Sequence, residues 1–313
     1  MEVLPQAFGR YEDLLASDTV DAVYIPLPTG LRKEWVLRAA AAGKHVVCEK
    51  PCAPSVADLR EMVAACRLHR VQFMDGVMFM HSGRLEKLRD VLDDGQSVGQ
   101  VRRVACAFSF RQTPQFFVNN IRTDSALEPY GCLGDLGWYC IRFVLWLMNW
   151  QMPLQVTGCL LSEHRRPDSP AAVPTAFSGE LLFAGEVCAN FYCSFLTETE
   201  QWVKISGTRG LMAMPDFVLP VVGSEVGFEV HHTDFQVRGC DFRMEDQVRR
   251  FTVTEHSHGH ASAQETNLFR NFADQVRSGE LNPIWPEAAL KTQMVMSACL
   301  DSARAQGQRI EVR

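Results

Sequence analysis

Between Asp21 and Met74 short apolar runs alternate with helical stripes, and that alternation restricts the fold more than any other feature of the chain. DAVYIPLP (21–28) carries two prolines at its end and reads as a buried strand opening into a loop. Leu31, Trp35, Ala39 and Ala42 follow as one apolar stripe, which predicts a helix closed by Gly43. KHVVCEKP (44–51) predicts a second strand running into Pro51. Ser55, with Asp58 three residues on, forms a capping-box-like start for a second helix carrying Val56, Leu59, Met62, Val63 and Cys66. Val71 to Met74 returns as a strand. This order predicts βαβ units and a parallel sheet, with ligands outside the carboxyl ends of the strands. The loops at those ends are Pro26 to Gly30 and Glu49 to Cys52.

After about residue 100 the pattern changes. VRRVACAFSF, QVTGCLLSE, GELLFA, EVCANFYCSF, QWVKISGT and FEVHHTDFQV are strand-like segments separated by Gly, Asp and Pro turns, which predicts a broad, largely antiparallel sheet. The apolar stretch from Asp135 to Trp150 predicts a buried helix with Trp146 and Trp150 in its core, and helices are expected from Ala263 to Val276 and from Pro286 to Ala305. A chain of 313 residues that is 47% hydrophobic can bury two cores. The expected division is 1–100 and 101–313.

The charge balance narrows the function. A net charge of -6 with no basic run argues against nucleic-acid partners and points to small-molecule chemistry. No apolar run approaches the ~18 residues that cross a bilayer, so a soluble protein with no membrane partner is expected. MEVLPQAFGRYEDLL has no targeting composition. Eleven cysteines without a C-x-x-C suit a reducing, cytoplasmic setting in which most thiols are core hydrophobes.

Two constellations could carry chemistry. Glu49-Lys50-Pro51 ends a predicted parallel strand, which aims the lysine at the ligand crevice while the proline, possible as a cis peptide, fixes the loop. Alone, the tripeptide reads as readily as a surface lysine in a proline loop. Asp135 and Tyr139 stand at i and i+4 where the apolar helix begins, on one face. The competing reading makes Asp135 a helix cap and Tyr139 a half-buried aromatic. His256, His258 and His260 alternate as metal ligands on a strand could, but a solvated loop is the simpler reading and no metal is expected. His231 and His232 read as strand residues.

VDAVYIPLPTGLRKEWVLRAAAAGKHVVCEKP resembles, in order and spacing, the cofactor-domain segment of the glucose-fructose oxidoreductase / inositol dehydrogenase / MocA family. GCLGDLGWYCIRF is similar to that family's D-x-G-x-Y hallmark, FSF and NNIR resemble one of its subgroups, and GTRGLMAMPDFVLP resembles its sheet segment. The branch with Tyr includes dimeric dihydrodiol dehydrogenases and some xylose dehydrogenases.

The resemblance implies an α/β plus α+β fold: a Rossmann-type parallel sheet, then a large open-faced sheet that often forms dimers. It implies a dehydrogenase or reductase using NADP or NAD on a CH-OH or C=O carbon of a sugar-like or trans-dihydrodiol substrate. Lys50, Tyr139 and Asp135 would be catalytic, with Tyr139 as general acid/base and the Lys50 ammonium lowering its pKa. Pro26, Leu27, Pro28, Thr29, Arg32, Glu49, Lys50 and Pro51 would line the cofactor; Met78, His81, Arg84 and Arg122 are candidate substrate residues. Arg32 stands where the family usually has a histidine, so a fixed cation is expected at the edge of the nicotinamide pocket.

No G-x-G-x-x-G precedes these loops and twenty residues stand before Asp21, so the parallel sheet is expected to be incomplete and the chain truncated at its start. The alternative is a non-catalytic binding, regulatory or assembly subunit of the same fold.

Overall fold

The computed structural model describes residues 6–312. After a short helix α1 (Tyr11–Leu15), β1 (Ala22–Ile25), α2 (Thr29–Ala41), β2 (His45–Cys48), α3 (Val56–Leu68) and β3 (Phe73–Asp75) form a three-stranded parallel sheet in the order β1-β2-β3. Alternation along the strands divides its two faces. Val46 and Cys48 enter the core shared with Val36, Ala39 and Leu59 of α2 and α3, whereas Val47 and Met74 pack under Leu268 and Phe272. Ser55 caps α3 as its sequence predicts, accepting the Asp58 N–H at 3.1 Å.

The apolar stripe expected on α2 is rotated. Leu31 is 49% exposed, and the buried line runs through Thr29, Arg32, Val36, Ala39 and Ala40. A buried guanidinium belongs to that face and hydropathy does not count it.

A 3-10 turn (Met78–His81) and α4 (Gly83–Asp93) lead into the second sheet. Its strands are β4 (Val101–Ser109), β5 (Gln155–His164), β6 (Val173–Phe183), β7 (Val187–Ser194), β8 (Glu200–Gly207), β9 (Leu211–Met214), β10 (Glu225–Arg238), β11 (Asp241–Thr254) and β12 (Ile310–Glu311). They are ordered β11-β10-β9-β8-β4-β7-β6-β5-β12. Within this sheet, among the described strands, only β4 and β7 pair in parallel, so the mostly antiparallel sheet expected from the sequence is present. Between β4 and β5 lie α5 (Pro114–Asn119), a π-helical turn (Leu133–Gly137) and α6 (Trp138–Leu147); α7 (Gln264–Ser278) and α8 (Ile284–Arg304) follow β11.

The segment from Asp135 to Trp150 is therefore a π turn followed by a helix, and Trp146 and Trp150 are half-buried rather than core. β11 eluded the sequence because it pairs with β10 along its whole length while Asp241 to Arg250 stay exposed on both faces, which erases the period-2 signal. The eleven cysteines are free thiols, all but Cys159, Cys188 and Cys240 buried. Among the described residues no helix is long and apolar enough to cross a membrane.

Candidate active site

β2 delivers Glu49, Lys50 and Pro51 to the carboxyl edge of the parallel sheet, and the Lys50-Pro51 peptide is cis. From there the Lys50 ammonium reaches the π turn, donating to Asp135 Oδ1 and to the Asp135 carbonyl, both at 2.7 Å. Asp135 is not a helix cap. Its second carboxylate oxygen, Oδ2, forms an ion pair with Arg122 Nε at 2.7 Å, so one carboxylate holds two cations. Tyr139, one turn on, is 6% exposed and packs on Phe108 and Phe79 with ring centroids 5.6 and 6.1 Å away. The Lys50 ammonium lies over its ring, 4.7 Å from the centroid.

Electrostatics corrects one expectation. Burial raises the Tyr139 pKa and outweighs the downward pull of Lys50, with Glu49 and Asp135 adding to the rise. At neutral pH the residue is a phenol, a proton donor. Burial works against the charge on Lys50, but Asp135 and Tyr139 more than offset it and the ammonium titrates above its ordinary range. Burial likewise opposes charge on Asp135, yet Lys50 and Arg122 hold its carboxyl below the usual carboxylate range. A protonated cation, an ionised carboxylate and a neutral phenol thus meet at one point, able to donate a proton and to stabilise an oxyanion.

Arg32 corrects another. It is 4% exposed and is a staple, not a cation at the pocket rim. Its Nε donates to the Leu27 carbonyl at 2.5 Å, and its Nη1 donates to Thr29 Oγ1 at 3.1 Å, to the Glu49 carbonyl at 2.9 Å and to the Pro51 carbonyl. Glu128 completes the cluster: Oε1 and Oε2 accept the Thr29 N–H at 3.0 Å and its hydroxyl at 2.6 Å. The segment around Glu128 crosses so close to α2 that a Cβ on Gly30 would stand 2.1 Å from the Ala126 carbonyl oxygen. Glu49 faces the opposite way, accepting from the Tyr24 hydroxyl at 2.7 Å.

The remaining candidates separate. Arg122 joins the site through Asp135. Met78 is half-buried between the two cores. His81 accepts from Asn271 at 3.1 Å and lines a cavity of about 640 Å³ with Asp75, Arg142, Trp285 and α7; neither Lys50 nor Tyr139 borders that cavity. Arg84 does not reach a crevice: it is 1% exposed and locked to Asp216 Oδ1 at 2.6 Å and the Asp216 carbonyl at 3.0 Å, tying α4 to the loop after β9. Pro26 and Leu27 border an apolar groove of about 440 Å³ along β1, with Tyr11, Ile25 and Trp35; Pro28 precedes α2. His256 and His260 stack at 3.7 Å and both approach Ser262; no cluster of metal-ligating side chains occurs among the described residues. Glu128, Tyr24 and Phe108 escaped the sequence reading. Only the i to i+3 placement of Thr29 and Arg32 hints at their cluster.

For a nicotinamide cofactor the fit is divided. The loops after β1 and β2 and the Lys50 ammonium suit the nicotinamide-ribose end. The free N-terminus of a helix, which would grip a pyrophosphate, is filled at α2 by Glu128.

Residues 3–77 match the oxidoreductase family described as having an NAD-binding Rossmann fold, and residues 85–213 match the GFO/IDH/MocA C-terminal domain. The chain is 31% identical over 213 residues to trans-1,2-dihydrobenzene-1,2-diol dehydrogenase of Sus scrofa, covering 68% of this chain and 60% of that protein. The chain thus spans less than two thirds of that relative's length. It is 29% identical over 302 residues to D-xylose 1-dehydrogenase (NADP(+)) 2 of Haloferax volcanii, 96% of this chain and 83% of that one. A 3-ketoreductase from Actinomadura kijaniata, solved with NADP and TDP-benzene, superposes with a TM-score of 0.77 at 26% identity, covering 94% of this chain and 81% of that one. With both of its domains matched in order along the chain, this protein belongs to the GFO/IDH/MocA oxidoreductase family.

Proposed function

We propose that the protein is an NAD(P)-dependent oxidoreductase acting on a CH-OH or C=O carbon of a sugar-like or dihydrodiol substrate. The observation that carries this reading is the meeting of Lys50, Asp135 and Tyr139 at the carboxyl edge of the parallel sheet, with Lys50 Nζ 4.7 Å from the Tyr139 ring centroid. Relatives named for these activities support it. When bound, the nicotinamide supplies or accepts the hydride at the substrate carbon.

The chain's own residues manage the proton and the charge. Tyr139, held as a phenol by burial, gives its proton to the carbonyl oxygen in the reductive direction and leaves as a phenolate beside the Lys50 ammonium. In the oxidative direction the phenolate form, favoured by the neighbouring Lys50 ammonium, takes the hydroxyl proton and returns to the phenol. Asp135 fixes the ammonium from below, and Arg122 shares that carboxylate at the more exposed side of the site. Pro26, Leu27, Pro28, Thr29, Glu49 and Pro51 shape the cofactor loops, and Met78 and His81 are second-rank substrate candidates. The chain divides functionally at about residue 100.

The open face of the large sheet, with Thr157, Cys159, Asn190, Tyr192 and Trp202 around a depression of about 410 Å³, suits pairing with a second copy. Sedimentation equilibrium would return a dimer mass, and a monomer at micromolar concentration would remove that part of the reading. For the activity, the purified chain is titrated with NADPH and NADH by fluorescence, with Lys50→Ala as control, and then assayed on dihydrodiol and pentose substrates. Saturable binding weakened by the substitution, followed by turnover, is expected. A folded chain that binds neither nucleotide would instead mark a non-catalytic binding or assembly subunit.

A further inference from the structure

We infer that Arg32 and Glu128 form a positioning pair that sets the working cation of the site by gripping the backbone on both sides of Lys50. Neither touches the Lys50 ammonium or Tyr139 in any described contact. What Arg32 holds is the carbonyl of the residue before Lys50, Glu49, and the carbonyl of the residue after it, Pro51. Its Nε simultaneously holds the Leu27 carbonyl, so the loops after β1 and β2 are tied to one planar group.

Glu128 extends the tie to a third segment. It stands seven residues before Asp135, the carboxylate that receives Lys50. Its oxygens clamp both hydrogen-bond donors of Thr29, and Oε1 lies 3.9 Å from Arg32 Nη2. Residues 99 apart in sequence therefore fix the distance between the loop that carries the ammonium and the segment that carries its acceptor. The pair is buried, Arg32 at 4% and Glu128 at 9% exposure, so its geometry is held without competition from water.

The choice of arginine follows from the donors needed. Nη1 reaches the Thr29 hydroxyl and the Glu49 and Pro51 carbonyls while Nε reaches the Leu27 carbonyl, so the contacts need two donor atoms held in a fixed fork, and a lysine ammonium has only one nitrogen. The bland alternative is that the pair only stabilises the fold. The two differ in what happens to Lys50 in a molecule that remains folded.

This inference rests on the proposed role of Lys50 as the site's cation, and its test reads Lys50 without turnover. Wild type, Arg32→Lys, Glu128→Gln and the milder Thr29→Val are compared as full-length chains. Three quantities are measured on each: the thermal midpoint, the acylation rate of the Lys50 amine relative to Lys87 and Lys291 by peptide mass, and the Kd for NADPH. Wherever a cooperative melt shows a folded chain, Lys50 acylation is expected to rise about tenfold in Arg32→Lys and Glu128→Gln, with unchanged rates at the two reference lysines and a weaker Kd. Thr29→Val should fall between these and wild type. Lower midpoints with wild-type Lys50 reactivity would reduce the pair to a structural role and overturn the inference. If wild type binds no NADPH, the oxidoreductase reading fails while the acylation rates still decide the fate of the pair.

Discussion

On one side of the Lys50 loop, Arg32 spends its guanidinium on three carbonyls and a hydroxyl, and Glu128 spends both oxygens on Thr29. On the other, Lys50 and Arg122 share the single carboxylate of Asp135, and the Arg122 side chain is 42% exposed. Both clusters combine arginine, carboxylate and partly buried charge, so composition does not tell them apart. Saturation does. A buried charge held by several fixed partners within the protein has little left to offer a ligand and serves the fold, whereas two cations on one carboxylate next to a phenol leave capacity for developing negative charge.

The largest expected effect falls on the unsaturated cluster. Tyr139→Phe keeps the ring against Phe79 and Phe108 but removes the proton donor. Steady-state turnover should fall by roughly 10²–10⁴-fold with the thermal midpoint nearly unchanged. A variant that turns over like wild type would end the assignment of Tyr139 as acid, and a large loss of stability would show that the hydroxyl belongs with the saturated class.

The saturated class should respond in the opposite way. Arg142 and Asp75 form a second such cluster, both 3% exposed, with Nη1 and Nη2 on the two carboxylate oxygens at 3.1 and 2.5 Å and Nε on Thr292 at 2.8 Å. Arg142→Leu leaves a buried carboxylate unpaired and should cost about 3–5 kcal/mol in denaturant unfolding. The double variant with Asp75→Leu should recover part of that loss, since removing both charges also removes the desolvation problem. A single-variant cost below about 1 kcal/mol would break the link between saturation and stability.

Only part of this contrast was legible in the sequence. Glu49-Lys50-Pro51 and the Asp135/Tyr139 pair stand out because their chemistry is local: a strand end and a helical repeat place them without knowledge of the rest. Glu128 does not stand out, because its meaning depends on a contact with residue 29 across the fold. Arg32 was read as a rim cation for the same reason; its partners are mostly backbone carbonyls, which leave no side-chain signature. Arg84 shows the converse, a charged residue near a substrate-like string that the fold turns inward onto Asp216. The parallel sheet was readable from its continuous apolar runs, and β11 was not, since a strand exposed on both faces carries no alternation to read.

pH separates the two kinds of group further. Burial lowers the His81 pKa to about 4 from the ordinary 6.5. Above the ordinary value the imidazole is neutral in folded and unfolded chains alike and contributes no pH dependence. As pH falls from 6.5 towards 4 the unfolded chain takes up a proton that the folded chain refuses, so stability declines, by up to roughly 3 kcal/mol. Chemical unfolding of wild type and His81→Gln between pH 7 and pH 4 measures this. The two curves should converge on the neutral side and part on the acid side, and parallel curves would remove His81 as the source.

The smallest effect on stability is expected at Arg122, and it is the most informative about the unsaturated cluster. With its side chain 42% exposed, its bond to Asp135 is screened by water, so Arg122→Gln should change unfolding free energy by less than about 1 kcal/mol. The carboxyl it helps hold down would nonetheless rise in pKa, because Lys50 alone would then oppose the burial of Asp135. A carboxylate that protonates at higher pH releases the Lys50 ammonium earlier on acidification, so the acid limb of the kcat/KM profile should move upward in pH while the plateau at neutral pH changes less. If the limb stays fixed and the plateau alone collapses, Arg122 is acting on the substrate directly, and the second cation of the cluster is there to bind a ligand, not to govern the carboxylate it shares.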